Sequence, residues 1–102
     1  MRDYAAVETA QMKFALGKTV WTRGVNDLVA VDSSFAKFVT DSLTRHSNGD
    51  WGDLSDEDKR ENDLSLDKGL RLFSAYKQGK FKIWIITEAD RSATTILFPA
   101  EY

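Results

Sequence analysis

The sequence predicts a single α+β domain. Three observations carry this: an apolar stripe at helical spacing between Asp32 and Arg45, a capped acidic segment from Ser55, and alternating strand patterns in the last third. Helices that precede a run of strands, rather than alternate with them, predict two layers. The expected architecture is a three-stranded antiparallel C-terminal meander with two helices packed on one face. A short N-terminal strand is a candidate addition. With 102 residues, 42% hydrophobic and 29% charged, the chain can bury a core without metal or disulfide staples.

Taken in order, residues 1–11 read as an N-terminal extension, either helical or disordered. Met12 opens a segment that reads as an independent start, and 12–102 form the domain. "KTVWT" (18–22) has the β-branched and aromatic content of a short strand, closed by Gly24. Asn26 or Asp27 then caps a single helical turn through Leu28 and Val29. Asp32 stands as an N-cap, and Phe35, Phe38, Val39 and Leu43 fall at i, i+3, i+4 and i+8 on one side of a helix. Gly49 ends that pattern.

Ser55 and Asp58 form an S-x-x-D capping pattern, and Asp56, Glu57 and Asp58 place negative charge at the positive end of the helix dipole. From 56 to 63 there is no apolar residue, so this helix is expected to face solvent or a partner. Gly69 stops it. "LRLFSAY" (70–76), the glycine-bearing "KQGK" and "FKIWIITE" (81–88) read as a hairpin, and "TTILFP" (94–99) as the third strand. The middle strand is apolar on both faces. The helix 32–45 covers one; the N-terminal leader or a second copy of the chain are the candidates for the other, which makes a homodimer one option.

Cysteine is absent, which removes disulfides, thiolate chemistry and cysteine zinc sites. No apolar run approaches the roughly 20 residues of a membrane span, and the start lacks a signal-peptide core. A cytoplasmic protein is expected. The net charge of −2 conceals a dipole: residues 50–67 hold eight acids against Lys59 and Arg60, a balance of −6, and the rest carries +4.

Three strings, "FALGKTVWTRGV", "RHSNGDWGDLSDEDKREND" and "IWIITEADRSATTILFPAEY", resemble a family of small uncharacterised bacterial proteins of plasmids and integrative elements. Its members bear labels such as "plasmid-related protein", or one linking them to a type I restriction–modification subunit. The resemblance covers most of the chain from Met12 and implies a mobile-element setting. It implies no methyltransferase chemistry here, because no glycine loop for adenosylmethionine follows any strand.

Candidate sites follow from residue chemistry. Counted from Asp50, an EF-hand loop is matched only by Asp50, Asp56, Asp58 and Glu61, while Gly52, Leu54 and Ser55 occupy other key positions. A single histidine gives no zinc set. Neither metal nor cofactor is expected. His46 returns to within about 20° of Phe35 around the helix. It reads either as a helix-end residue bonded to Asp50 or Asp53, or as a general acid–base. Asp90, Arg91 and Ser92 read as a tight turn or as an anion-recognising tip. Trp51 is either a plug over the sheet or an anchor for a partner.

Two functions result. The preferred one is a non-catalytic module that binds a host protein through Trp51, Asp53, Glu57, Asp58 and Glu61, possible targets lying in restriction or defence. The alternative is a small metal-independent nuclease-like enzyme built on His46, Arg91 and Thr94 or Thr95, a layout shared with some compact ribonucleases. Direct nucleic-acid binding is not expected, since no basic cluster is evident in the chain.

Overall fold

A computed structural model describes residues 12–102. The expected extension at 1–11 lies outside the described residues. The order is β1 (Lys18–Trp21), α1 (Arg23–Val31), α2 (Ser33–Ser47), α3 (Asp56–Lys68), β2 (Leu72–Gln78), β3 (Phe81–Thr87), β4 (Ala93–Leu97) and a 3-10 turn (Pro99–Glu101). The α+β class and the meander are as expected. The sheet is mixed, in order β1-β4-β3-β2, because β1 joins the meander parallel to β4. No described helix is long and apolar enough to cross a membrane.

Asp32 caps α2 by accepting from the Phe35 N–H at 3.0 Å. The helix then buries Phe35, Phe38, Val39, Ser42 and His46 along one stripe. Against that stripe lie Tyr76, Ile83, Ile85 and Ile96, which the strand register puts on a single sheet face. Val25 of α1 completes the cluster, with Leu28 and Val29 beside it. Each large apolar side chain so buried is worth about 1.5–3 kcal/mol over exposure.

Two expectations about helices need correction. The turn predicted near Asn26 is a nine-residue helix that begins at Arg23, and its N-cap residue, Thr22, makes no side-chain cap bond. The cap comes instead from the other end of the chain. Glu101 accepts from the Gly24 N–H at 2.9 Å and from the Thr22 hydroxyl at 2.5 Å. A Cβ on Gly24 would stand 2.6 Å from that carboxylate, so the glycine admits the cap rather than breaking the helix. The capping bonds hold the Glu101 carboxyl below the usual range, the Thr22 bond most of all. Its stabilisation is therefore present above the ordinary glutamate pKa and lost as pH falls through the lower folded value. Glu101→Ala is expected to cost about 1 kcal/mol, the worth of an N-cap, in urea denaturation at neutral pH.

The second correction concerns α3. It does not share the helical layer on the first sheet face, which α1 and α2 occupy. It runs along the β2 edge and buries only Asn62. The Asn62 amide donates to the Phe73 carbonyl and accepts from the Phe73 N–H, so a side chain stands where a further strand would pair. One step along, Ala75 donates to the Trp51 carbonyl (3.3 Å) and accepts from the Asp53 N–H (2.7 Å). The β2 edge is thus blocked by an asparagine and a three-residue bridge, which removes a template for edge-to-edge association. A helix with no apolar residue from 56 to 63 cannot cover a sheet face. It can cover an edge, where the need is polar.

Candidate functional site

His46 sits in the last turn of α2, facing the sheet, and is wholly buried. Nδ1 lies 2.6 Å from the Ser74 hydroxyl and Nε2 2.9 Å from that of Thr87. Thr87 contacts the Thr94 hydroxyl at 2.7 Å, and Thr94 donates to the Leu16 carbonyl at 2.7 Å. The carbonyl, which can only accept, orders the protons from Thr94 back to Nε2, and the burial that keeps the ring neutral settles Nδ1. With the Thr94 proton committed to Leu16, Thr87 donates to Thr94. Thr87 must then accept from Nε2–H, which leaves Nδ1 unprotonated to accept from Ser74. The ring is the neutral Nε2–H tautomer.

Aromatic rings enclose it. Phe14 and Trp51 each meet the imidazole edge-on, at centroid distances of 5.3 and 5.6 Å, and they stack on each other at 6.2 Å. Burial, with a smaller contribution from the Arg91 charge, lowers the His46 pKa from 6.5 to about 3. Both nitrogens are engaged inside the core and the charged form is strongly disfavoured. His46 has no bond to Asp50 or Asp53. Asp50 instead forms a two-pronged pair with Arg45 (2.7 and 3.2 Å), and its backbone carbonyl accepts from the Tyr76 hydroxyl at 2.6 Å. That pairing holds the Asp50 carboxyl below its ordinary value.

Arg91 occupies the β3–β4 turn with φ of 61°, a conformation uncommon outside glycine. One guanidinium nitrogen donates to the carbonyls of Leu70, Glu88 and Ala89 at 2.7, 3.0 and 3.2 Å, and the group lies 5.7 Å above the Phe14 ring. The Phe14 ring therefore has Arg91 over its face and His46 against it. Asp90 is exposed and accepts from the Ser92 N–H at 3.0 Å, closing the turn locally, while the Ser92 carbonyl accepts from Lys18 of β1. Thr94 belongs to the His46 chain. Thr95, next to it, faces the opposite side of the sheet, paired with Ile86. Of the four residues considered for catalysis, the fold joins His46 and Thr94 through Thr87 and separates Thr95 from them.

The binding candidates also divide. Trp51 is buried, and its indole N–H donates to Asp63 of α3 at 2.9 Å, so it plugs the core and ties α3 to the loop. Asp53, Glu57, Asp58 and Glu61 are exposed. Glu57 and Glu61, with Arg60 and Leu64, line a shallow depression of about 310 Å³. Among the described residues, no group of three or more His, Cys, Asp or Glu side chains is placed to hold a metal ion.

The second sheet face, expected from the strand pattern to be apolar and in need of a cover, carries an aromatic groove that the pattern did not reveal. Half-buried Phe73 and Trp84 meet edge-to-face at 5.1 Å, and Tyr102 meets Trp84 at 5.7 Å. They line two contiguous depressions. One, of about 290 Å³, lies among Asp53, Leu54, Ala75, Lys77 and Lys82; the other, of about 170 Å³, is closed by Arg71, Ile86 and Tyr102. The signal was present in the alternation of 73, 75 and 77 against 82, 84 and 86, but pairing register was needed to read it. Compared with protein-family models, with curated proteins and with solved structures, the chain matches none.

Proposed function

We propose that the protein is a non-catalytic binding module that docks a basic protein surface through the outward side of α3. The observation that carries this reading is Leu64, 52% exposed, in a depression it shares with Glu57, Arg60 and Glu61. An exposed leucine among carboxylates suits a partner with an apolar pocket rimmed by lysine or arginine: desolvating the leucine supplies affinity, and the carboxylates steer the encounter. The helix contributes Asn62 to the buried interior and Asp63 to the Trp51 indole, so its outward side chains are open to a partner without loss to the core. The state of His46 favours binding over phosphoryl chemistry, because a general base needs a nitrogen that can reach a substrate proton. The resemblance to mobile-element proteins supports a host restriction or defence factor as the partner, and a nucleic-acid-binding groove is one basic surface of that kind.

The test is affinity capture with tagged protein, followed by the triple substitution Glu57→Lys, Asp58→Lys, Glu61→Lys. Recovery of the partner is expected to fall at least tenfold, and wild-type association to slow as salt rises, since exposed charges are screened beyond about 8–10 Å. Reversal in the first turn costs the helix dipole about 0.3–1 kcal/mol for each charge there. Circular dichroism should still show a folded domain. Undiminished recovery by the folded, reversed protein would place the interface elsewhere.

A further inference from the structure

The second face of the sheet carries chemistry that the α3 reading leaves unused. Lys77 and Lys82 stand directly opposite each other in the β2–β3 register, both exposed, with Lys80 in the connecting turn. Like charges directly across a ladder are destabilising, and among the described residues none of the three lysines has an acidic partner within 4.0 Å. Lys77 and Lys82 sit at one end of the aromatic groove of Phe73 and Trp84, while the Lys80 ammonium lies 5.9 Å over the Phe81 ring. Arg71 lies at the other end, 3.7 Å from the Glu88 carboxylate and in contact with the Tyr102 hydroxyl at 3.4 Å. Tyr102 is 72% exposed and presents its ring at the groove rim.

We infer that this groove binds single-stranded nucleic acid, its bases resting on Phe73, Trp84 and Tyr102 and its phosphates on Lys77, Lys82 and Arg71. Aromatic platforms with flanking cations are the features that hold single strands without sequence preference. Cations at both ends, six residues apart along β2, span about 20 Å at the rise of a strand. That length suits a stretch of polymer better than a single nucleotide. A duplex is disfavoured, because its second backbone would come against the acids of α3 beyond the β2 edge, and its stacked bases would not reach the rings. Asp53, at the groove rim, repels phosphate from that side.

The experiment is fluorescence anisotropy of a labelled oligothymidylate, titrated with the intact protein at two salt concentrations. Saturable binding that weakens with salt is expected. Lys82→Glu should weaken it at least fivefold and flatten the salt slope by about 0.7 for the lost phosphate contact. The same substitution turns a repulsive cross-strand pair into an attractive one, so its melting temperature should hold or rise, which separates lost binding from lost folding. Tyr102→Ala, at an exposed position, should also weaken binding. Three results would each overturn the inference: no saturable binding, unchanged affinity in Lys82→Glu, or equally effective competition by duplex DNA or by thymidine monophosphate at matched nucleotide concentration.

Discussion

Acidification from pH 6.5 to pH 3 is expected to remove about 4–5 kcal/mol from the stability of the fold, the free energy equivalent of lowering the His46 pKa from 6.5 to about 3. The direction follows from proton counting. Between those two pH values the unfolded chain binds a proton at His46 and the folded chain does not, so stability falls as pH falls. It is intact above pH 6.5. His46 is the only histidine in the chain, so a decline between pH 6.5 and 5 in chemical denaturation can be assigned to it. Below that window the Asp50 and Glu101 carboxyls, both held low by their bonds, add to the loss as they protonate. His46→Leu is the companion measurement. It should cost about 2–4 kcal/mol at neutral pH, because the hydroxyls of Ser74 and Thr87 lose their partner inside the core. It should also flatten the slope between pH 6.5 and 5. A variant that kept the wild-type slope would show that the histidine does not titrate with folding.

Gly52→Ala is expected to be comparably severe, about 3–5 kcal/mol in the same assay. Gly52 has φ of +77°, which costs an L-residue roughly 1–2 kcal/mol by itself. The larger penalty is contact. An added Cβ would lie 2.0 Å from the Ala75 carbonyl oxygen and 2.7 Å from the Tyr76 ring, atoms of a packed strand that cannot retreat. Moving the loop away would sever the Trp51–Ala75–Asp53 bridge and the Tyr76 bond to Asp50. Gly79→Ala is the control. Its φ is +58°, yet a Cβ there meets nothing within 4 Å, so only the conformational cost of about 1 kcal/mol should appear. Equal losses in the two variants would mean that the close approach at Gly52 contributes nothing.

The His46 network shows how much of the site was legible in the chain. Spacing from Phe35 put the histidine on the buried side of its helix, and that is where it lies. Nothing local pointed to Ser74 or Thr87, which are 28 and 41 positions away and look like ordinary strand residues, and Thr94 was a candidate only beside Thr95, with nothing to choose between them. Their hydroxyls become a proton-ordered chain only when the β2–β3–β4 register brings Ser74 and Ile85 level, and Thr87 beside Thr94. The groove on the second sheet face was hidden for a similar reason. Lys77 and Lys82 stand five positions apart, and the intervening residues disguise a pair that antiparallel pairing brings face to face. Arg91 carried a competing signal. An arginine in a turn reads as an exposed donor, whereas one of its nitrogens is taken by three backbone carbonyls.

By itself the sequence determined the features whose causes lie within about one helical turn or one hairpin: the Asp32 and Ser55 caps, the stop at Gly69, and the strand pair around Gly79. These depend on side chains within a few residues of the backbone groups they satisfy. Tertiary structure alone decided the partners that are distant in the chain. It brought Glu101 to the start of α1 across 77 residues, laid β1 parallel to β4, and set Asn62 against the β2 edge. In each case a backbone group left open by local structure found its partner only after the chain had closed. The sequence names that donor or acceptor but not the direction from which its partner arrives.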